Sequence, residues 1–318
     1  MSNYNPYLNQ ISYKHSYDMA SEAIPNSNSF ACFTDEKCLY QHTDSVPYPV
    51  VISNVENNHI TSFDKKVISL VATYGFMTSK QIGECLTLLG VEFSDNVLKS
   101  SFERLKKNNI LRACHFGIDE EHCAKFYAYS LNKYGSEIAK ELGIPHSFGP
   151  MQVALPPADI KRKLATNQLM IAYFKSGVHI DWIKYGQVIN SKEEKNGIVR
   201  PSLAVCLNKD ILFYETVRSG EYWEQYLKDK LERYRLLFDN WEGNSWKLDA
   251  GTLPNLIILG ENEEHNKEIS RIVAELGMEV YYTHDILNCG SNFYHSLYRL
   301  TDNFEPEYYC FEVKVAVA

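Results

Sequence analysis

The chain lacks the features that would place it outside the cell or within a membrane. Its eight cysteines in 318 residues include no Cys-x-x-Cys pair, and several sit in apolar runs. They are expected to be reduced and mostly buried. No apolar stretch approaches the ~20 residues that a membrane helix needs. The first residues, MSNYNPYLNQ, have neither the basic start nor the apolar run of a secretory signal. A soluble, cytoplasmic protein is therefore expected. Positive charge is also in short supply: 32 Lys and Arg face 40 Asp and Glu, a net −8. That argues against a surface coated for nucleic acid but leaves room for a local basic face. The sequence has no Gly-rich phosphate loop, no nucleophile elbow and no internal repeat.

What is present is an ordinary globular composition, 45% hydrophobic and 23% charged. This is enough apolar material for a core. At roughly 150 residues per domain the length suits about two domains. Residues 1–60 show little periodicity and are acidic, and they read as an irregular arm that could pack through its tyrosines or bind a partner. Tyr48-Pro-Val-Val-Ile52 reads as a short strand within it.

Residues 61–145 read as one unit. Val67, Ile68, Leu70, Val71 and Tyr74 give a helical pattern that Gly75 ends. Thr78 or Ser79 can cap a second helix through Ile82, Cys85, Leu86 and Leu89. Ser94 caps a third, whose apolar face is assigned to Val97, Leu98, Phe102 and Leu105. Two β-like runs, 110–116 and 125–131, form a hairpin, and Asn132 caps a last helix over 134–142. Helix, helix, helix, hairpin, helix is the order of a winged helix-turn-helix. The third helix turns Asn96, Lys99, Ser100, Lys106 and Lys107 outward. These residue types reach base edges and phosphates from a major groove. Arg104 and, from the wing, Arg112 are expected to add backbone contacts. From 61 to 143 the charge is +1, against −8 for the whole chain. Double-stranded DNA is the expected partner, and a dimer would read half-sites about one helical turn apart. The competing reading is a solvated basic face on a dimerisation or protein-docking module. Cys114-His115 and His122-Cys123 flank the hairpin tip. Neighbouring strand residues point to opposite faces, so four ligands cannot converge there, and no metal is assigned.

Residues 146–159 hold three prolines and read as a linker. Beyond them, 160–318 gives the pattern α-β-β-β-α-β-α-β, a mixed α/β layer fold. Two adjacent strands present Arg200-Pro201-Ser202 and Tyr214-Glu215-Thr216, followed by a helix carrying Lys228, Lys230, Arg233 and Arg235. Metal-dependent nucleases of the restriction-endonuclease fold place an Asp on the first such strand and acid-x-Lys on the second. The carboxylates there hold Mg2+ and the lysine positions the attacking water. In this chain those places are Ser202 and Val217. Glu215 and Lys230 remain as vestigial candidates, with Asp210 and Glu221 as conceivable second carboxylates. Glu312-Val313-Lys314 also spells acid-x-Lys but reads as alternating strand residues.

Three stretches of the first unit (FDKKVISLVATYGFMTSKQIGECL, SSFERLKKNNILR and FYAYSLNKYGSEIAKELG) and three of the second (RPSLAV, FYETVRSGE and LKDKLERYRLLF) together resemble the replication-relaxation family. The resemblance covers residues 62–283. It implies an N-terminal winged helix joined to a restriction-endonuclease-like domain, in a protein of a bacterial plasmid, phage or integrative element. It also implies DNA binding in control of replication, transfer or transcription. The family has an acid after the Arg-Pro and another two residues past the strand Glu, where this chain has Ser202 and Val217. The expectation is therefore a DNA-binding protein without catalysis and without a cofactor. One alternative is an active Mg2+-dependent nuclease built on Glu215 and Lys230. The other is a regulatory module that binds protein through the N-terminal arm or the C-terminal domain.

Overall fold

The computed structural model describes residues 11–13, 30–42, 46–119, 126–146, 149, 155–189, 198–241, 253–289 and 293–311. The chain divides into two compact units. One is continuous, Cys32–Asn167; the other is split, Met1–Ala31 with Gln168–Ala318. The split unit includes the first strand, β1 (Ile11–Tyr13). The protein is mixed α/β, as expected. No helix among the described residues is long and apolar enough to cross a membrane.

The continuous unit begins with β2 (Lys37–Tyr40) and α1 (Tyr48–Glu56). Both fall inside the stretch read as an irregular arm. β2 pairs antiparallel with a strand more than seventy residues away, a partner no local pattern announces. The expected strand at 48–52 is helical instead. Its Pro49 sits in the first turn, where a missing N–H costs nothing, and Val51 is buried. Burial of one face overrides the β-branched run Val50-Val51-Ile52.

Four further helices and three strands follow: α2 (Ser62–Tyr74), β3 (Met77–Thr78), α3 (Ser79–Leu88), α4 (Asp95–Lys107), β4 (Leu111–Gly117), β5 (Ala128–Leu131) and α5 (Lys133–Glu141). The helix starts follow the sequence signals. Thr61 and Asp64 form a capping box on α2, Thr78 and Gln81 form one on α3, and Ser94 and Asn132 cap α4 and α5. Gly75 ends α2 at φ 80. On α4 the buried residues are Leu98, Ser101, Phe102 and Leu105, with Phe102 stacked on Tyr129 of β5 at 4.1 Å. Val97, assigned to the core, is 44% exposed. It lies one position from Leu98, and the helix turns it away. The sheet order is β2-β4-β5-β3, antiparallel throughout. Gly135 lets α5 press against β4's lead-in: a Cβ there would lie 2.1 Å from the Ile110 carbonyl oxygen.

The expected linker at 146–159 is entered by a helix, α6 (Pro157–Ser176). Pro157 is its first residue, a position where proline starts helices rather than breaks them. The division between the units falls at Asn167 and Gln168, within this helix, and not in the proline-rich stretch. Residues 147, 148 and 150–154 of that stretch lie outside the described residues.

From α6 onward the order α-β-β-β-α-β-α-β expected from the sequence is the order seen. The elements are β6 (Trp182–Tyr185), β7 (Leu203–Leu207), β8 (Asp210–Thr216), α7 (Trp223–Asp239), β9 (Asn255–Gly260), α8 (Glu263–Glu275) and β10 (Tyr281–His284). β11 (Leu297–Leu300) and β12 (Pro306–Phe311) complete them. One eight-stranded sheet runs β1-β12-β11-β10-β9-β8-β7-β6. β8, β9 and β10 are parallel neighbours joined by α7 and α8, and the remaining pairs are antiparallel. Both helices cover the same face. Leu227, Leu231, Tyr234 and Leu237 of α7 and Ile269 and Val273 of α8 bury Phe213, Val217, Leu256 and Ile258. On the opposite face Tyr173 of α6 meets Tyr214 of β8, hydroxyl to hydroxyl, at 2.5 Å. This core places the end of β8 directly beneath α7.

Candidate functional site

Two places carry the residues singled out by the sequence. The first is α4. Its apolar side is fixed in the continuous unit, which leaves Asn96, Lys99, Ser100 and Lys107 exposed. Spacings of three, four and seven residues put them on one face of the helix. None of the four has a hydrogen bond or ion pair among the described residues.

The other three basic candidates, expected to face DNA, have internal partners. Arg104 turns back to Asp64, with Nε 2.8 Å from Oδ2 and an Nη 3.2 Å from Oδ1. Asp64 is fully buried. Besides Arg104 it accepts hydrogen bonds from the Ser101 hydroxyl at 2.5 Å and from the Thr61 backbone at 2.8 Å. Burial pushes its carboxyl up, but these donors together outweigh burial and hold it below the usual carboxylate range. The cluster locks the start of α2 to α4. Lys106 pairs with Glu103 at 2.8 Å and donates to Gln41 at 3.0 Å. Arg112, expected to contact the DNA backbone, is buried, donates to Ser130 Oγ at 2.8 Å and lies over the Tyr40 ring at 4.9 Å. Arginines at outward helical or strand positions look like phosphate contacts when read locally, but their partners here come from distant segments. At the hairpin, residues 120–125 lie outside the described residues, His122 and Cys123 among them. Cys114 is a buried free thiol.

The second place is the end of β8. Glu215 is 1% exposed, and both of its oxygens are engaged. Lys230 of α7 donates to Oε1 at 2.5 Å and the Tyr234 hydroxyl to Oε2 at 3.2 Å. Burial, then the adjacent Glu215 charge, holds the Tyr234 phenol well above its ordinary value, so it stays a donor. Ser202 is adjacent, as the strand order predicts: its Oγ accepts from the Thr216 N–H at 3.1 Å. Val217 is packed in the core. Asp210 opens β8 opposite Leu207, at the far end of the strand from Glu215. Glu221 is exposed beyond the strand. These residues do not fit a divalent cation. One carboxylate is already engaged by a cation and a phenol, and among the described residues no second one converges on it. Among the described residues, no three His, Cys, Asp or Glu side chains are grouped as a metal would need.

The sequence alone does not reveal a polar cluster at the carboxyl ends of the parallel strands. Arg218, just past β8, is fully buried and pairs with Asp285, just past β10. It also donates to the Val217 carbonyl at 2.7 Å. Glu261, just past β9, accepts from the Ser219 N–H at 2.8 Å. The Glu261 N–H donates to Nδ1 of His265 at 3.2 Å, so the proton of a neutral ring sits on Nε2. Burial lowers His265 to about 4, and His284 likewise. Buried charges have no periodic signature; the only hint is that each residue follows immediately after a buried-type strand.

No protein-family model matches the chain, and no curated protein matches its sequence. Among solved structures, protein VC1899 from Vibrio cholerae is similar at 12% identity with a TM-score of 0.27. The likeness covers 80% of this chain and 56% of that one, so the chain spans just over half the length of that protein.

Proposed function

We propose that the protein binds duplex DNA through the outward face of α4 and does not cleave it. The observation that carries the reading is the set Asn96, Lys99, Ser100 and Lys107: exposed, on one face, and without internal partners among the described residues. Arg104 of the same helix is paired with the buried Asp64 of α2. A preorganised helix face with two free cations and two short hydrogen-bonding side chains suits phosphate positioning with base-edge readout. On the resemblance to the replication-relaxation family, the role is control of replication, transfer or transcription in a bacterial mobile element. Support for the absence of cleavage is the state of Glu215, which is paired with Lys230 and has no second carboxylate beside it among the described residues.

The test is binding of the full chain to labelled duplex DNA across a salt series. Lys99→Glu with Lys107→Glu should weaken binding and reduce the slope of log K against log salt by about two, one for each phosphate no longer neutralised. If affinity and slope are unchanged in a double variant with an unaltered melting transition, α4 is not the interface.

A further inference from the structure

We infer that the split unit carries a second nucleic-acid site, a pocket beside α7 that holds a single strand by its phosphates and an unpaired base. The pocket is distinct from the α4 face and does not depend on it. It is a cavity of about 390 Å3, within the range that takes small ligands. Arg200 and Ile198, from the approach to β7, form part of its wall, and Tyr226, Asp229, Lys230 and Arg233 of α7 line it opposite.

Charge decides what kind of ligand fits. Lys230 is balanced by Glu215 beneath it, and Asp229 accepts a hydrogen bond from Gln225 at 2.6 Å. Arg200 and Arg233 are exposed and have no partner among the described residues. The lining residues therefore sum to a positive charge in a chain whose total is −8. Two unpaired guanidinium groups at one cavity match phosphate, which they can grip with paired N–H donors.

Shape decides between single and double strands. Tyr226 is 49% exposed at the pocket, with its ring 5.6 Å from the Lys230 ammonium. Tyr226, Lys230 and Arg233 follow one stripe of α7, so an aromatic face and cations share it. Aromatic faces stack on bases that have left a duplex, and such stacking tolerates any sequence. The lysine that a nuclease would use on water is here held by Glu215, so the pocket grips a strand without a metal.

The experiment uses the full chain and three probes: a labelled single-stranded oligonucleotide, the same sequence as a duplex, and ATP as a free-nucleotide competitor. Arg200→Glu with Arg233→Glu should weaken single-strand binding about tenfold or more and leave duplex binding to α4 within about twofold. Tyr226→Ala should weaken single-strand binding about tenfold. Lys99→Glu with Lys107→Glu should leave it unchanged. All are surface changes, and an unaltered melting transition confirms folding; if the double charge reversal fails to fold, Tyr226→Ala alone decides. Single-strand affinity that survives Tyr226→Ala and the arginine changes, or that disappears only with the α4 lysines, overturns the proposal. Displacement of the strand by ATP at equal or lower concentration also overturns it, and makes the pocket a free-nucleotide site.

Discussion

Lys230 and Glu215 lie 2.5 Å apart, with the lysine side chain 13% and the glutamate 1% exposed. A metal-dependent nuclease built on these two groups would point both at a metal and a water. Here they point at each other, and Tyr234 takes the remaining carboxylate oxygen. Two outcomes are expected. Neither single- nor double-stranded DNA should be cut with Mg2+ or Mn2+, as read by gel; divalent-dependent cleavage abolished by Glu215→Ala would overturn this. Lys230→Met should destabilise the split unit by about 3–5 kcal/mol in urea denaturation, because it strands a buried carboxylate. Pairing it with Glu215→Leu should restore much of that stability.

Asp64 and Arg104 give a prediction of the opposite kind, a structural role where an interface was expected. Arg104→Ala should lower the melting temperature but leave the salt slope of DNA binding unchanged, since a side chain turned to Asp64 neutralises no phosphate. The Asp64 carboxyl lies below its ordinary 3.8 in the folded chain. Its contribution is therefore fully present above that value and is lost as pH falls below it, through the lower folded value. Asp64→Asn should remove this acid dependence while reducing stability at neutral pH, both measurable by denaturation at fixed pH values.

The buried histidines act over a different range. His265 and His284 drop from an ordinary 6.5 to about 4 because burial penalises the imidazolium. The unfolded chain binds more protons between these values, so stability is complete above about 6.5 and falls as pH drops towards 4. Each contributes up to roughly 3 kcal/mol. Buried Asp285, raised to about 6, acts in the opposite direction over part of this range, so the histidine contribution is read as the difference between urea titrations of the full chain and of His265→Asn with His284→Asn between pH 7 and 4. A pH dependence that the double substitution leaves unchanged would show that the rings are solvated.

Local chemistry made much of this fold legible. Thr78, Ser94 and Asn132 cap helices where their side chains predict, because capping involves only residues within a turn. The alternation of strands and helices after residue 160 is legible too, because each element buries one face. Non-local partners were not legible. β2 reads as arm because its partner lies beyond residue 110. Arg104 and Arg112 read as surface cations because Asp64 and Ser130 are distant in the chain. Ser202 next to Glu215 was legible from strand order, whereas the capture of Glu215 by Tyr234 was not: tyrosine at that helix position reads simply as core.

The pairing of β1 with β12 couples Ile11 to Phe311, three hundred residues apart. During synthesis, then, the first strand of the split unit leaves the ribosome long before its partner exists. The continuous unit, by contrast, has all of its strands and can close while the rest is still being translated. Until β12 emerges, the sheet has an open edge at β11, where another chain could pair. Premature termination or proteolytic trimming near residue 306 would therefore leave a folded α4-bearing unit attached to an aggregation-prone sheet.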